Sequence, residues 1–172
     1  MQPEYDRYRM SRIRDYYKLL CVEKKQVMEK MIEKMKQIIR NEKYCVLATA
    51  MNNKPHCSLM AYTSGEDCKR IYMVTHKDSD KYRNLQSNDS VSLMIDTRGN
   101  KKDRPAKALT VSGRFLEIKN EEILLNVKKD LLSCHPELEI FLNEEKSCVF
   151  SIEIESFLLL DGFTDSYYEI LT

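Results

Sequence analysis

Between Tyr44 and Ile118 the chain alternates between two kinds of stretch, and no other feature narrows its fold as far. "YCVLATA", "HCSLMAYT", "RIYMVTH", "SVSLMID" and "AKALTVSGRFLEI" are β-branched, aromatic or small and apolar. "NNKP", "SGEDCK" and "TRGNKKDRP" between them are turn and loop chemistry. Residues 44–63 therefore read as a hairpin, 70–76 as a third strand, 90–96 as a fourth and 106–118 as a fifth. A sixth run, "SCVFSIEIESFLLL", alternates apolar and polar at Val149, Ser151, Ile152, Glu153, Ile154 and Glu155, as a half-exposed strand does. The expectation is a mainly β protein with flanking helices, in which six antiparallel strands form a small barrel rather than a doubly wound parallel sheet.

Helical spacing frames this core. From Ser11 to Arg40, Ile13, Tyr17, Leu20, Met28, Met31, Met35 and Ile38 recur at helical intervals, with Lys and Glu on the other faces. Tyr82 and Leu85 suit a short helix over 79–87. Residues 120–142 carry Ile123, Val127, Leu131 and Leu132 at the same period until Pro136, which predicts a break there. The chain reads as one domain overall, with residues 1–43 a helical segment packing on a barrel of residues 44–172.

Composition removes several classes. No run reaches the roughly 18 apolar residues that a spanning helix needs. "MQPEYDRYRM" lacks an apolar signal core, so a cytoplasmic location is expected. Six cysteines form no C-x-x-C pair and the three histidines are scattered, which leaves no metal site to assign. Cys45, Cys57 and Cys148 lie in strand-like runs and read as small buried hydrophobes. Four glycines are too few and too dispersed for a dinucleotide fingerprint or a P-loop. The net charge is +1, but residues 1–43 carry twelve Lys/Arg against seven Asp/Glu, while residues 137–172 carry one against nine. The two ends can attract each other as readily as the basic end can seek nucleic acid.

One charged stretch suggests chemistry. In "THKDSDK", Thr75 ends a strand, Ser79 is placed to cap the next helix and Lys81 falls in its first turn. A helix start offers free N–H groups and a positive dipole end to an anion. Lysine is unfavourable there for the helix alone, and an anionic ligand would account for it.

The order of these pieces, L-A-T at 47–49, Pro55 after the turn, Thr75, S-x-K at 79–81, Asn84-Leu85 and "NDSVSL" at 88–93, resembles the FMN-binding split-barrel family related to pyridoxamine 5′-phosphate oxidase. The resemblance spans residues 36–118. It implies that Thr75, Ser79 and Lys81 hold the FMN phosphate, with Asp80 standing where the family often has arginine. It implies that the flavin ring lies along the second strand, at His56, Ser58, Leu59 and Met60, with Val74 at the edge of the third. It further implies a homodimer with FMN at the interface, near which Gly113 falls. Read from the residues alone, His76 and His135 are surface histidines, His56 is as readily a surface histidine as a site residue, Ser58 and Thr49 are strand hydroxyls, and Tyr62 and Tyr72 core or interface aromatics.

The implied function is an FMN-dependent oxidoreductase that passes hydride or electrons from NADH or NADPH to a small acceptor. Nitroimidazole-reductase-like and general flavin-reductase-like roles both fit. The absence of tryptophan and a tail, "DGFTDSYYEILT", without an R-L-x-P ending set the chain apart from the vitamin B6 oxidase itself. The alternatives are a flavin-binding carrier or redox sensor without turnover, and a nucleic-acid-binding barrel using the basic first helix.

Overall fold

A computed structural model of the chain describes residues 2–97, 107–162 and 164–171, with side chains from Lys18 onward. The charged loop "TRGNKKDRP" lies largely outside the described residues. One helix, α1 (Gln2–Asn41), precedes the strands. The chain divides into two compact units, one ending at Lys34 and one running from Met35 to the C-terminus. The boundary falls inside α1. Its last turns belong to the second unit, where Met35, Ile38 and Ile39 are buried and Tyr62 Oη donates to the Ile39 carbonyl at 2.9 Å.

Eight strands are present among the described residues rather than six: β1 (Tyr44–Met51), β2 (Lys54–Ala61), β3 (Thr63–Ser64), β4 (Arg70–His76), β5 (Ser90–Asp96), β6 (Lys107–Glu117), β7 (Ser147–Asp161) and β8 (Asp165–Ile170). All pair antiparallel, in the order β2-β1-β5-β6-β7-β4-β3, with β8 on β7. The two additional strands have simple causes. β3 is only two residues of the presumed turn, held against Tyr72 and Ile71. β8 covers "DSYYEI", in which Tyr168 and Ile170 are exposed and Glu169 half-buried, so no apolar-in, polar-out signal marks it, and it pairs with the second half of β7 from Ser156 to Asp161.

The β1–β2 hairpin closes on Asn52-Asn53, both at positive φ (51° and 59°), the left-handed pair that a two-residue hairpin turn requires and that asparagine tolerates. Cys45, Leu47 and Thr49 of β1 face the core with Val91, Leu93 and Ile95 of β5 and Leu109, Val111 and Phe115 of β6. In β7 the parity of core-facing residues changes, from Phe150, Ile152 and Ile154 to Phe157 and Leu159. A bulge explains it: Ser156 pairs with Ser112 and Ile154 with Gly113, so Glu155 is the extra residue.

Between β6 and β7 the chain forms α3 (Glu121–Cys134), a 3-10 turn (Pro136–Leu138) and α4 (Glu139–Asn143). Pro136 makes the expected break. These helices cover the outer face of β4 and β7, where Val74 and Val149 pack with Val127, Leu131 and Leu142. Both faces of this strand pair are therefore buried. No described helix is long and apolar enough to cross a membrane.

Candidate functional site

β2 and β4 share no ladder, although they lie side by side. This seam is where the barrel is split, and it opens into a slot of about 360 Å³. Leu59, Met60 and Ala61 of β2 form one wall, and Val74 and Thr75 of β4 the other. Lys81 enters from α2 (Asp80–Ser87), while Glu137, Leu138 and Phe141 come from the 3-10 turn and α4. A mostly apolar concavity with a few convergent polar groups, of this volume, suits a small ligand.

The polar end is built by a hydroxyl pair. Ser79 caps α2: its Oγ accepts from the Tyr82 N–H at 3.3 Å and donates to the His76 carbonyl at 2.7 Å. A serine has one hydroxyl proton, so the 3.1 Å contact with Thr75 Oγ1 has the buried Thr75 as donor. Thr75 Oγ1 keeps lone pairs that can accept, and of the first amides of α2 those of Tyr82 and Arg83 are already taken by Ser79. Lys81 is half-buried and has no hydrogen bond or ion pair among the described residues. Asp80 does not face it; its carboxylate pairs with Arg83 one turn along and borders a separate hollow.

The structure thus brings Leu59, Met60, Val74, Thr75 and Lys81 to one slot, with Ser79 attached through Thr75. His56 lies elsewhere, exposed in the hollow under the β1–β2 hairpin with Asp80 and Asn84. Ser58 pairs across the ladder with Leu47 and lines neither cavity. Asn84, buried, donates to Thr49 Oγ1 at 3.0 Å and so ties α2 to β1.

Two histidines are not where sequence reasoning put them. His135, read as a surface residue, is fully buried: it sits at the end of α3, where the chain must turn into Pro136, with Nε2 2.9 Å from the Tyr62 carbonyl oxygen. His76 is half-buried and stacks on Phe141, with ring centroids 4.1 Å apart and planes at 12°. Its Nε2 lies 2.9 Å from Glu144 Oε2, out of hydrogen-bonding alignment. Cys57, read as buried, is exposed because β2 is an edge strand; Cys45 is buried, which pushes its thiol up to about 12. All six cysteines are free. Gly113 is fixed by its bulge: a Cβ there would meet the Glu153 carbonyl oxygen at 2.2 Å.

Glu137, Leu138 and Phe141 line the slot but were read only as part of a broken helix. The break at Pro136 was legible, yet nothing in the local sequence ties that turn to β2 or β4. Glu137 is held below the ordinary carboxylate range, chiefly by a hydrogen bond with its own backbone amide and further by Tyr44 and His135. At the far end of β4, a hydrogen bond from Lys146 at 3.0 Å likewise holds Asp78 low.

The profile of the family described as pyridoxamine 5′-phosphate oxidase matches residues 31–150. A pyridoxamine 5′-phosphate oxidase homolog of Schizosaccharomyces pombe is 37% identical over 71 residues, and the match spans 36% of this chain and 36% of that protein's length. Among solved structures, a heme binding protein from Mycobacterium smegmatis superposes with a TM-score of 0.71 at 15% identity, covering 80% of this chain and 57% of that one. A FAD-binding protein from Mesorhizobium loti does so with a TM-score of 0.60 at 18% identity, covering 73% of this chain and 91% of that one. At these identities the structural likeness is one of fold.

Proposed function

The chain belongs to the pyridoxamine 5′-phosphate oxidase family, and from that premise we propose that it binds FMN in the β2–β4 slot and serves as an oxidoreductase between NADH or NADPH and a small acceptor. The observation that carries this reading is Lys81, a cation without a partner among the described residues, at a slot that is also lined by the buried Thr75, itself hydrogen-bonded to Ser79 at the start of α2. A phosphate monoester matches that end through charge and several hydrogen bonds. Leu59, Val74, Leu138 and Phe141 suit a planar aromatic ring at the other. When bound, FMN supplies the hydride chemistry. The protein's residues hold the phosphate, orient the ring and exclude water from its apolar face. The slot is open to solvent on the exposed Leu59 side, and a second copy of the chain placed there would enclose the ring.

The heme-binding neighbour raises a second reading. It is less well served by the site, since no imidazole lines the slot among the described residues: His56 faces another hollow, His76 is stacked on Phe141 and His135 is enclosed. A flavin carrier or redox sensor uses the same slot without turnover.

The test is an equilibrium titration of the purified full-length protein with FMN, riboflavin and hemin, followed by addition of NADH or NADPH to the loaded protein. The expected result is saturable FMN binding, weaker binding of riboflavin, and bleaching of the flavin absorption. Failure to take up FMN overturns the cofactor assignment; binding without bleaching leaves the carrier or sensor.

A further inference from the structure

The slot holds one charged group that phosphate binding does not use. Glu137, in the turn between α3 and α4, lines the same cavity as Lys81, yet the two do not pair. Its position is fixed from behind. The Tyr62 carbonyl can only accept, so the 2.9 Å contact puts a proton on His135 Nε2. Nδ1 of this buried ring lies 3.4 Å from Glu137 Oε1 without forming a hydrogen bond, since with the proton on Nε2 it carries a lone pair. Tyr44 lies edge-on to the imidazole, centroids 5.3 Å apart, and its hydroxyl donates to the same Oε1 at 3.1 Å. Both side-chain contacts therefore fall on one oxygen. Oε2 has no side-chain partner among the described residues.

A surface carboxylate normally samples many rotamers, and holding one in place costs side-chain entropy. Here a tyrosine hydroxyl, its own ring packed edge-on against the buried His135, holds one oxygen of a side chain that is otherwise 58% exposed, and so meets part of that cost in advance at the wall of a cavity. The arrangement is that of a preset acceptor. Resting on the flavin reading above, we propose that Glu137, positioned by the hydroxyl of Tyr44, accepts a hydrogen bond from a ring N–H of the bound ligand. The slot then selects molecules that join an anionic group, taken by Lys81 and α2, to a planar ring bearing an N–H donor. A flavin has such a donor at N3. A planar ligand that presents only carboxylates meets a fixed like charge instead.

The experiment compares FMN with 3-methyl-FMN, which keeps the phosphate and the ring but lacks the N3 proton, by equilibrium titration of the full-length protein. The wild type is expected to bind FMN about tenfold or more tightly than the methylated analogue, the usual size for a hydrogen bond to a charged acceptor. Glu137→Ala is expected to bring the ratio close to one. Glu137→Gln, which keeps an acceptor, should retain part of it. Tyr44→Phe preserves the ring over His135 and removes only the hydroxyl, and should narrow the ratio without abolishing FMN binding. An FMN to 3-methyl-FMN ratio that is the same in the wild type and Glu137→Ala overturns the role of Glu137 while leaving the flavin site standing. A wild type that binds neither flavin overturns both.

Discussion

Lys81 carries the most weight of any single side chain. It sits in the first turn of α2, where a cation opposes the helix dipole, and no described residue compensates it. Truncation should therefore do little harm to the fold and considerable harm to anion binding. Lys81→Ala is expected to weaken FMN by about tenfold or more and to leave riboflavin unchanged, as read by fluorescence titration of the two flavins side by side. An equal loss for both would mean that the lysine acts on the ring or the fold rather than the phosphate. At this scale the sequence was informative wherever the candidate residues are neighbours along the chain. Thr75, Ser79 and Lys81 fall within one strand end and helix start, so their spacing alone brings them together. Glu137 and His135 could not be read in that way, because what places them is the packing of α3 against β4 and β7, a contact between residues far apart in sequence. His56 shows the opposite failure. It lies on the expected strand, but a position near the hairpin tip carries it past the end of the slot.

Among the elements, β7 organises the sheet. From Phe150 to Asp161 it lies on β6, while its other edge is shared between β4 from Ser147 to Glu153 and β8 from Ser156 to Asp161. The bulge at Ser112/Gly113 sits near this handover and lets one strand present core residues on both sides of it. Gly113 has no room for a side chain there, since the clash is with backbone at Glu153 and not with a flexible group. Gly113→Ala is expected to cost about 3 kcal/mol, measured as a lowered urea midpoint at unchanged slope. A change under about 0.5 kcal/mol would show that the bulge relaxes freely. The alternation along "FSIEIESFLLL" announced a strand correctly but concealed the change of parity, which depends on what β6 does opposite it. β8 escaped notice for a related reason: its pairing is set by β7, and although exposure alternates along it, Tyr168 and Ile170 point outward while Glu169 is half-buried, so chemistry and burial do not match.

For the whole molecule, the division of the chain at Met35 has a measurable meaning. Among the described residues, every member of the main core cluster lies at Met35 or beyond. A chain beginning just before Met35 is expected to unfold cooperatively, with a Tm within about 4 °C of the full-length protein's, as followed by circular dichroism. A larger fall would make the first unit a structural part of the barrel. The split barrel itself was legible because strand runs, turns and the helix start recur in a fixed order, and order survives where individual contacts do not. The seam between β2 and β4 has a kinetic consequence. Since no β2–β4 ladder crosses it among the described residues, widening it breaks none; a ligand taken up there is expected to exchange at the pace of side-chain rotation, at Leu59 and Phe141, rather than of local unfolding.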